Sequence, residues 1–189
     1  MTTRIRTYLQ SRRAKAGFTL VETLMALIIL VIMTGIVAMG IPVAFDTYSK
    51  AVDGSNAQVL LSTTTAELRN EFSMAQDCQV KNGTLYYLTG DGYWASLENT
   101  SDGIMKHVYA GREPGETELT EKAHLLVSRA AQTDVLLVKF ADSGGITFSN
   151  GVFTVTGLQV VRKNDVTTVL AGIGNDPATG TYQVRAITY

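Results

Sequence analysis

The chain has 189 residues with 16 Lys+Arg, 17 Asp+Glu and one cysteine, which fits one domain with a modest core and excludes an internal disulfide. All five charges before Phe18 are basic (Arg4, Arg6, Arg12, Arg13 and Lys15), leaving 11 basic against 17 acidic residues from position 18 onward. So acidic a body argues against general binding to nucleic acid or anionic lipid, which both demand a positive surface.

Positions 1–17 read as a basic leader peptide. The run 17–45 follows, with the single charge Glu22 and then 22 uncharged residues at positions 24–45. As a helix those 22 residues span roughly 33 Å at ~1.5 Å each, enough to cross a hydrocarbon core of ~30 Å. The basic flank places the N-terminus in the cytoplasm and everything after Phe45 across the membrane. A cleaved secretory signal would have a shorter apolar run and a small-residue cleavage site after it. A plain anchor fits the length but gives no reason for Glu22, since a carboxylate inside an apolar segment is costly and marks function by default.

The residues Gly17-Phe18-Thr19-Leu20-Val21-Glu22, behind a basic leader and ahead of an apolar helix, resemble the processing motif of type IV prepilins and of type II secretion pseudopilins. The resemblance implies that a membrane prepilin peptidase cuts between Gly17 and Phe18, that Phe18 is then N-methylated, and that Glu22 registers incoming subunits by neutralising a neighbour's amine. It further implies other pilin subunits and a membrane assembly platform as partners. The processed protein would sit in the bacterial cytoplasmic membrane and then in an extracytoplasmic filament. An internal Phe18–Glu22 pair, at i and i+4, is the competing arrangement. Gly35, Gly40 and Pro42 are expected to break or kink the second half of the helix.

From 46 to 80 the pattern predicts an amphipathic continuation of the helix. Leu61, Leu68, Phe72 and Ala75 fall on one face. Asp53-Gly54-Ser55-Asn56 is a weak point, where Ser55 with Gln58 resembles a capping box able to restart the helix. From 81 to 189 short β-type runs alternate with turn signals. Strands are expected at 84–88, 93–97, 105–109, 124–128, 135–140, 146–148, 152–161, 166–170 and 182–187. The turns Thr89-Gly90-Asp91-Gly92 and Asn150-Gly151 mark hairpins, so the sheet is antiparallel. The fold class is α+β, a long N-terminal helix packed on an antiparallel sheet, as in the pilins the motif resembles.

The rest of the chain carries no catalytic signature. There is no nucleophile elbow, phosphate-binding loop or zinc-protease motif, and the chain reads as non-enzymatic. His107 and His124 stand far apart without zinc-type spacing and read as surface or edge residues. Cys78 reads as a small, partly buried side chain. Glu113, Glu116, Glu118 and Glu121 form an acidic run. Calcium is the one cofactor the resemblance raises, because some pseudopilins bind it in a loop. This run lacks the closely spaced Asp and Asn of such sites and reads as a solvated loop. Arg162-Lys163 is the one basic pair to weigh for DNA, against the acidic body. Gly172-Ile173-Gly174 reads as a turn. A structural subunit of a type IV pilus or related filament is the reading that results. A type II secretion pseudopilin and a membrane-tethered binding domain that never polymerises are the alternatives.

Overall fold

The structure, a computed structural model, describes residues 19–132 and 135–186. The chain divides into two compact units, Met1–Ser49 and Lys50–Tyr189. Helix α1, Leu20–Ser73, is the main element of the first unit and supplies the first element of the second. It passes without interruption through Gly35, Gly40, Pro42 and Gly54. This corrects the expectation that the first three break the helix, and it answers the question of continuity at Gly54. Each glycine costs a helix only ~1 kcal/mol and an internal proline ~3 kcal/mol, amounts that 54 residues of surrounding helix can absorb.

In the second unit α1 buries one stripe: Ala57, Leu60, Thr64, Leu68 and Phe72. Their three- and four-residue spacing keeps them on one face. The threonines in this part do not weaken it. Thr63, Thr64 and Thr65 each donate their hydroxyl to the carbonyl four residues back, at 2.8–3.0 Å, so no polar group is stranded in the packed face. The helix ends at Ser73, short of the expected position 80. Residues Asp77–Lys81 instead form strand β1.

Strands β1 (Asp77–Lys81), β2 (Thr84–Leu88), β3 (Trp94–Thr100), β4 (Gly103–Ala110) and β5 (Thr117–Glu118) pair in sequence order, and β6 (His124–Leu125) also pairs with β4. This first sheet is antiparallel throughout. The Asn82-Gly83 turn between β1 and β2 has φ of 53° and 81°, the left-handed pair that a tight hairpin needs. After a four-residue helix α2 (Arg129–Gln132), strands β7 (Leu136–Ser149), β8 (Val152–Arg162), β9 (Asp165–Gly172) and β10 (Thr181–Arg185) build the second sheet. There β8 pairs with β7 on one side, and with β10 and then β9 on the other. The expected strands 135–140 and 146–148 are one strand interrupted by a bulge between Phe140 and Gly145. The strand expected at 124–128 shrinks to two residues, and the last residue of 182–187 lies outside the described residues.

The core lies where α1 meets both sheets. Phe72 stacks on Phe153 with centroids 4.4 Å apart and meets Tyr87 edge-on at 5.4 Å. Two polar links fasten this core. Lys106 on β4, only 8% exposed, donates to Glu71 on α1 at 2.6 Å, and Tyr87 Oη donates to the same carboxylate at 3.4 Å. Asn99 on β3 donates its amide to the Phe140 carbonyl at 3.0 Å and accepts the Phe140 N–H at 2.9 Å. One side chain thus satisfies a strand backbone in the other sheet. Strands β2 and β3 are laddered only at Tyr87–Ala95 and Leu88–Trp94. Beyond those pairs no ladder joins them.

Candidate functional site

The helix start is built by Thr19. Its backbone carbonyl accepts the Thr23 N–H at 3.1 Å and its hydroxyl accepts the Glu22 N–H at 3.2 Å. Thr19 is therefore the N-cap and Glu22 the third helical residue, the spacing of a capping box. The Thr19-x-x-Glu22 spacing is the sequence signal for this cap. The position also sets Glu22 beside the positive end of the helix dipole, where an anion is favoured. Gly17 and Phe18, the expected cleavage and methylation residues, lie outside the described residues.

From Thr19 to Lys50 every residue is exposed except Gly35, which is half-buried. Between Leu20 and Phe45 the exposed side chains include 17 large apolar ones. Covering the exposed part of them would be worth roughly 15–30 kcal/mol. That exceeds the ~5–15 kcal/mol by which a typical fold is stable, so covering this surface is strongly favoured. Length and composition suffice for it to cross a membrane. Thr34 near the middle of this stretch and Thr47 just past its end return their hydroxyls to the Leu30 and Val43 carbonyls at 2.8 Å. The apolar surface therefore presents few free donors.

The other sequence candidates fall elsewhere in the body and do not converge. His107 on β4 donates from Nδ1 to Glu118 on β5 at 2.7 Å, and its Nε2 is 3.6 Å from Glu98 on β3. His124 is exposed and bonds the Lys122 carbonyl at 2.8 Å. The acidic run is exposed at all four glutamates, with Glu118 bonded to His107 and Glu113 3.6 Å from Lys81. Among the described residues no three His, Cys, Asp or Glu side chains are grouped to hold a metal ion.

Arg162 and Lys163 are committed to structure. Arg162 donates to Asp53 on α1 at 2.6 Å, while Lys163 reaches Asp102, which also takes Arg129 at 2.6 Å. Charges occupied in this way are poorly placed to meet a phosphate backbone. Gly172-Ile173-Gly174 leads into a turn in which Asp176 accepts the Ala178 N–H at 3.0 Å and the Thr179 hydroxyl at 2.9 Å. Those bonds hold the Asp176 carboxyl below its ordinary range. Cys78 is half-buried on the sheet edge, and burial, with the Asp77 carboxylate beside it, pushes its thiol up to about 12. A thiol held protonated is a packing residue rather than a nucleophile.

The distinctive surface is thus the capped, apolar helix start. Residues 12–38 match the family model of the prokaryotic N-terminal methylation motif, the signature of type IV prepilins and pseudopilins. The motif implies a substrate of prepilin peptidase that assembles with other pilin-type subunits. No curated protein and no solved structure matches the chain.

Proposed function

We propose that the chain is a structural subunit of a type IV pilus or related filament, processed between Gly17 and Phe18, N-methylated at Phe18, and assembled through the first part of α1. One observation carries the reading: the methylation motif runs directly into a helix whose apolar side chains are unburied from Leu20 to Phe45. A bilayer covers such a surface before assembly, and the helices of neighbouring subunits cover it afterwards. Gly35, Gly40 and Pro42 mark where this helix is most easily distorted by its neighbours.

Glu22 has two roles in this account. As the third residue of a capped helix it helps fix where the helix begins. In the assembled filament its carboxylate neutralises the Phe18 amine of an adjoining subunit, a pairing favoured because either charge alone is costly away from water. An internal Phe18–Glu22 pair is the competing arrangement.

The test separates processing from assembly. With Glu22→Ala, cleavage of the leader proceeds and the protein stays in the membrane fraction, while sheared filaments containing it fall by at least roughly tenfold, as loss of a desolvated ion pair demands. Filaments at the normal level from that variant would remove the registry role.

A further inference from the structure

The sequence Ser143-Gly144-Gly145 lies in the β7 bulge and has no part in the helix-based function. Its surroundings are unusual. Strands β2 and β3 are held together at Tyr87–Ala95 and Leu88–Trp94 and part beyond them. The β7 bulge flanks the opening, anchored near its base by the Asn99–Phe140 bonds. The result is a cleft of about 670 Å³, within the ~300–1,000 Å³ of small-ligand sites.

We propose that this cleft binds a neutral saccharide. Its walls combine the rings of Tyr86 and Tyr109, centroids 5.4 Å apart, with the hydroxyls of Ser96, Ser143 and Thr147 and the carboxylate of Glu98. A pyranose presents an apolar C–H face and a rim of hydroxyls. Tyrosine rings cover the first, while hydroxyls and a carboxylate exchange hydrogen bonds with the second. Ser96 Oγ and Tyr109 Oη are 3.3 Å apart and hydrogen-bonded, so two of these groups are oriented before a ligand arrives. Preorganisation of this kind lowers the ordering cost of binding.

Charge and shape narrow the class. Among the described residues lining the cleft, Glu98 carries the only charged side chain, so an anionic ligand would meet a like charge. The opening is a taper, because β2 and β3 are at ladder spacing, ~4.8 Å, at its closed end. An added peptide strand needs that same spacing from a flanking strand along its whole length, which two diverging edges do not provide together. A compact ring at the wide end has no such requirement. Gly145 lines the cleft with bare backbone, where an added Cβ would meet nothing within 4 Å.

The test uses the full-length protein in lauryldimethylamine oxide, a detergent without a sugar headgroup. Lactose, cellobiose, N,N′-diacetylchitobiose, 3′-sialyllactose and the peptide acetyl-Thr-Val-Thr-Val-Thr-amide are titrated by ligand-observed NMR. At least one neutral disaccharide is expected to bind saturably, and sialyllactose and the peptide are not. Tyr109→Ala and Ser143→Trp should each weaken that binding by at least roughly tenfold. Ser143 is exposed, so its variant is expected to keep the wild-type melting temperature and near-UV spectrum, separating blockage of the cleft from misfolding. Failure of every neutral disaccharide to bind, undiminished binding by a folded Ser143→Trp variant, or saturable binding of the peptide alone would each overturn the proposal.

Discussion

The Lys106–Glu71 pair gives the sharpest energetic prediction. Lys106 Nζ lies 2.6 Å from Glu71 Oε1, with the two side chains 10% and 23% exposed. Glu71→Ala leaves an ammonium facing the core without its counter-charge. Stranding one member of a buried pair costs ~3–5 kcal/mol. At ~2–4 °C per kcal/mol for a chain of this size, melting should fall by roughly 10 °C. Lys106→Met is the milder change. Glu71 keeps the Tyr87 hydroxyl at 3.4 Å and partial access to water, so the loss should be ~1–2 kcal/mol. Replacing both, with Lys106→Met and Glu71→Leu, removes the stranded charge and should return stability to within ~1–2 kcal/mol of the starting protein. Thermal and urea denaturation of the full chain in detergent measure all three. A double variant that costs the sum of the single losses would show that the pair is not coupled and refute the reasoning, and equal losses from the single variants would refute the expected asymmetry.

Two further predictions concern the body. Asn99→Ala removes both bonds to Phe140 and leaves a buried N–H unsatisfied. It should cost ~2–3 kcal/mol in urea denaturation, with accelerated exchange of the Phe140 amide. Unchanged exchange would mean that the link carries no load. Cys78, its thiol pushed up to about 12 by burial and by Asp77, should alkylate with iodoacetamide at pH 8 at least ~100-fold more slowly in the native protein than in denaturant. Equal rates would contradict its assignment as a packing residue.

Local chemistry explains which parts of this molecule the sequence discloses. The apolar run and basic flank are written contiguously, and the stripe of α1 repeats every three to four residues, so both are legible. The Asn150-Gly151 hairpin is too, and its φ values of 52° and 75° are those such a pair favours. Strand β1 is obscured because Asp77-Cys78-Gln79-Val80-Lys81 is an edge whose only inward residue is Cys78. Nothing alternates strongly enough to stop the helical stripe from seeming to run on through Ala75. Strand β7 reads as two because its bulge carries Asp142, Ser143 and two glycines, residues that otherwise mark a turn. Lys106 looks like a surface lysine because Glu71, the partner that permits its burial, is 35 residues away. The cleft between β2 and β3 depends on where a ladder stops, and no residue type signals that.

The central claim concerns one peptide bond, and mass spectrometry of the native N-terminus tests it most directly. Protein recovered from the membrane of its own host should begin at Phe18 and carry an added methyl group on that residue's amine. An intact Met1, or a first residue beyond Phe45, would contradict the account.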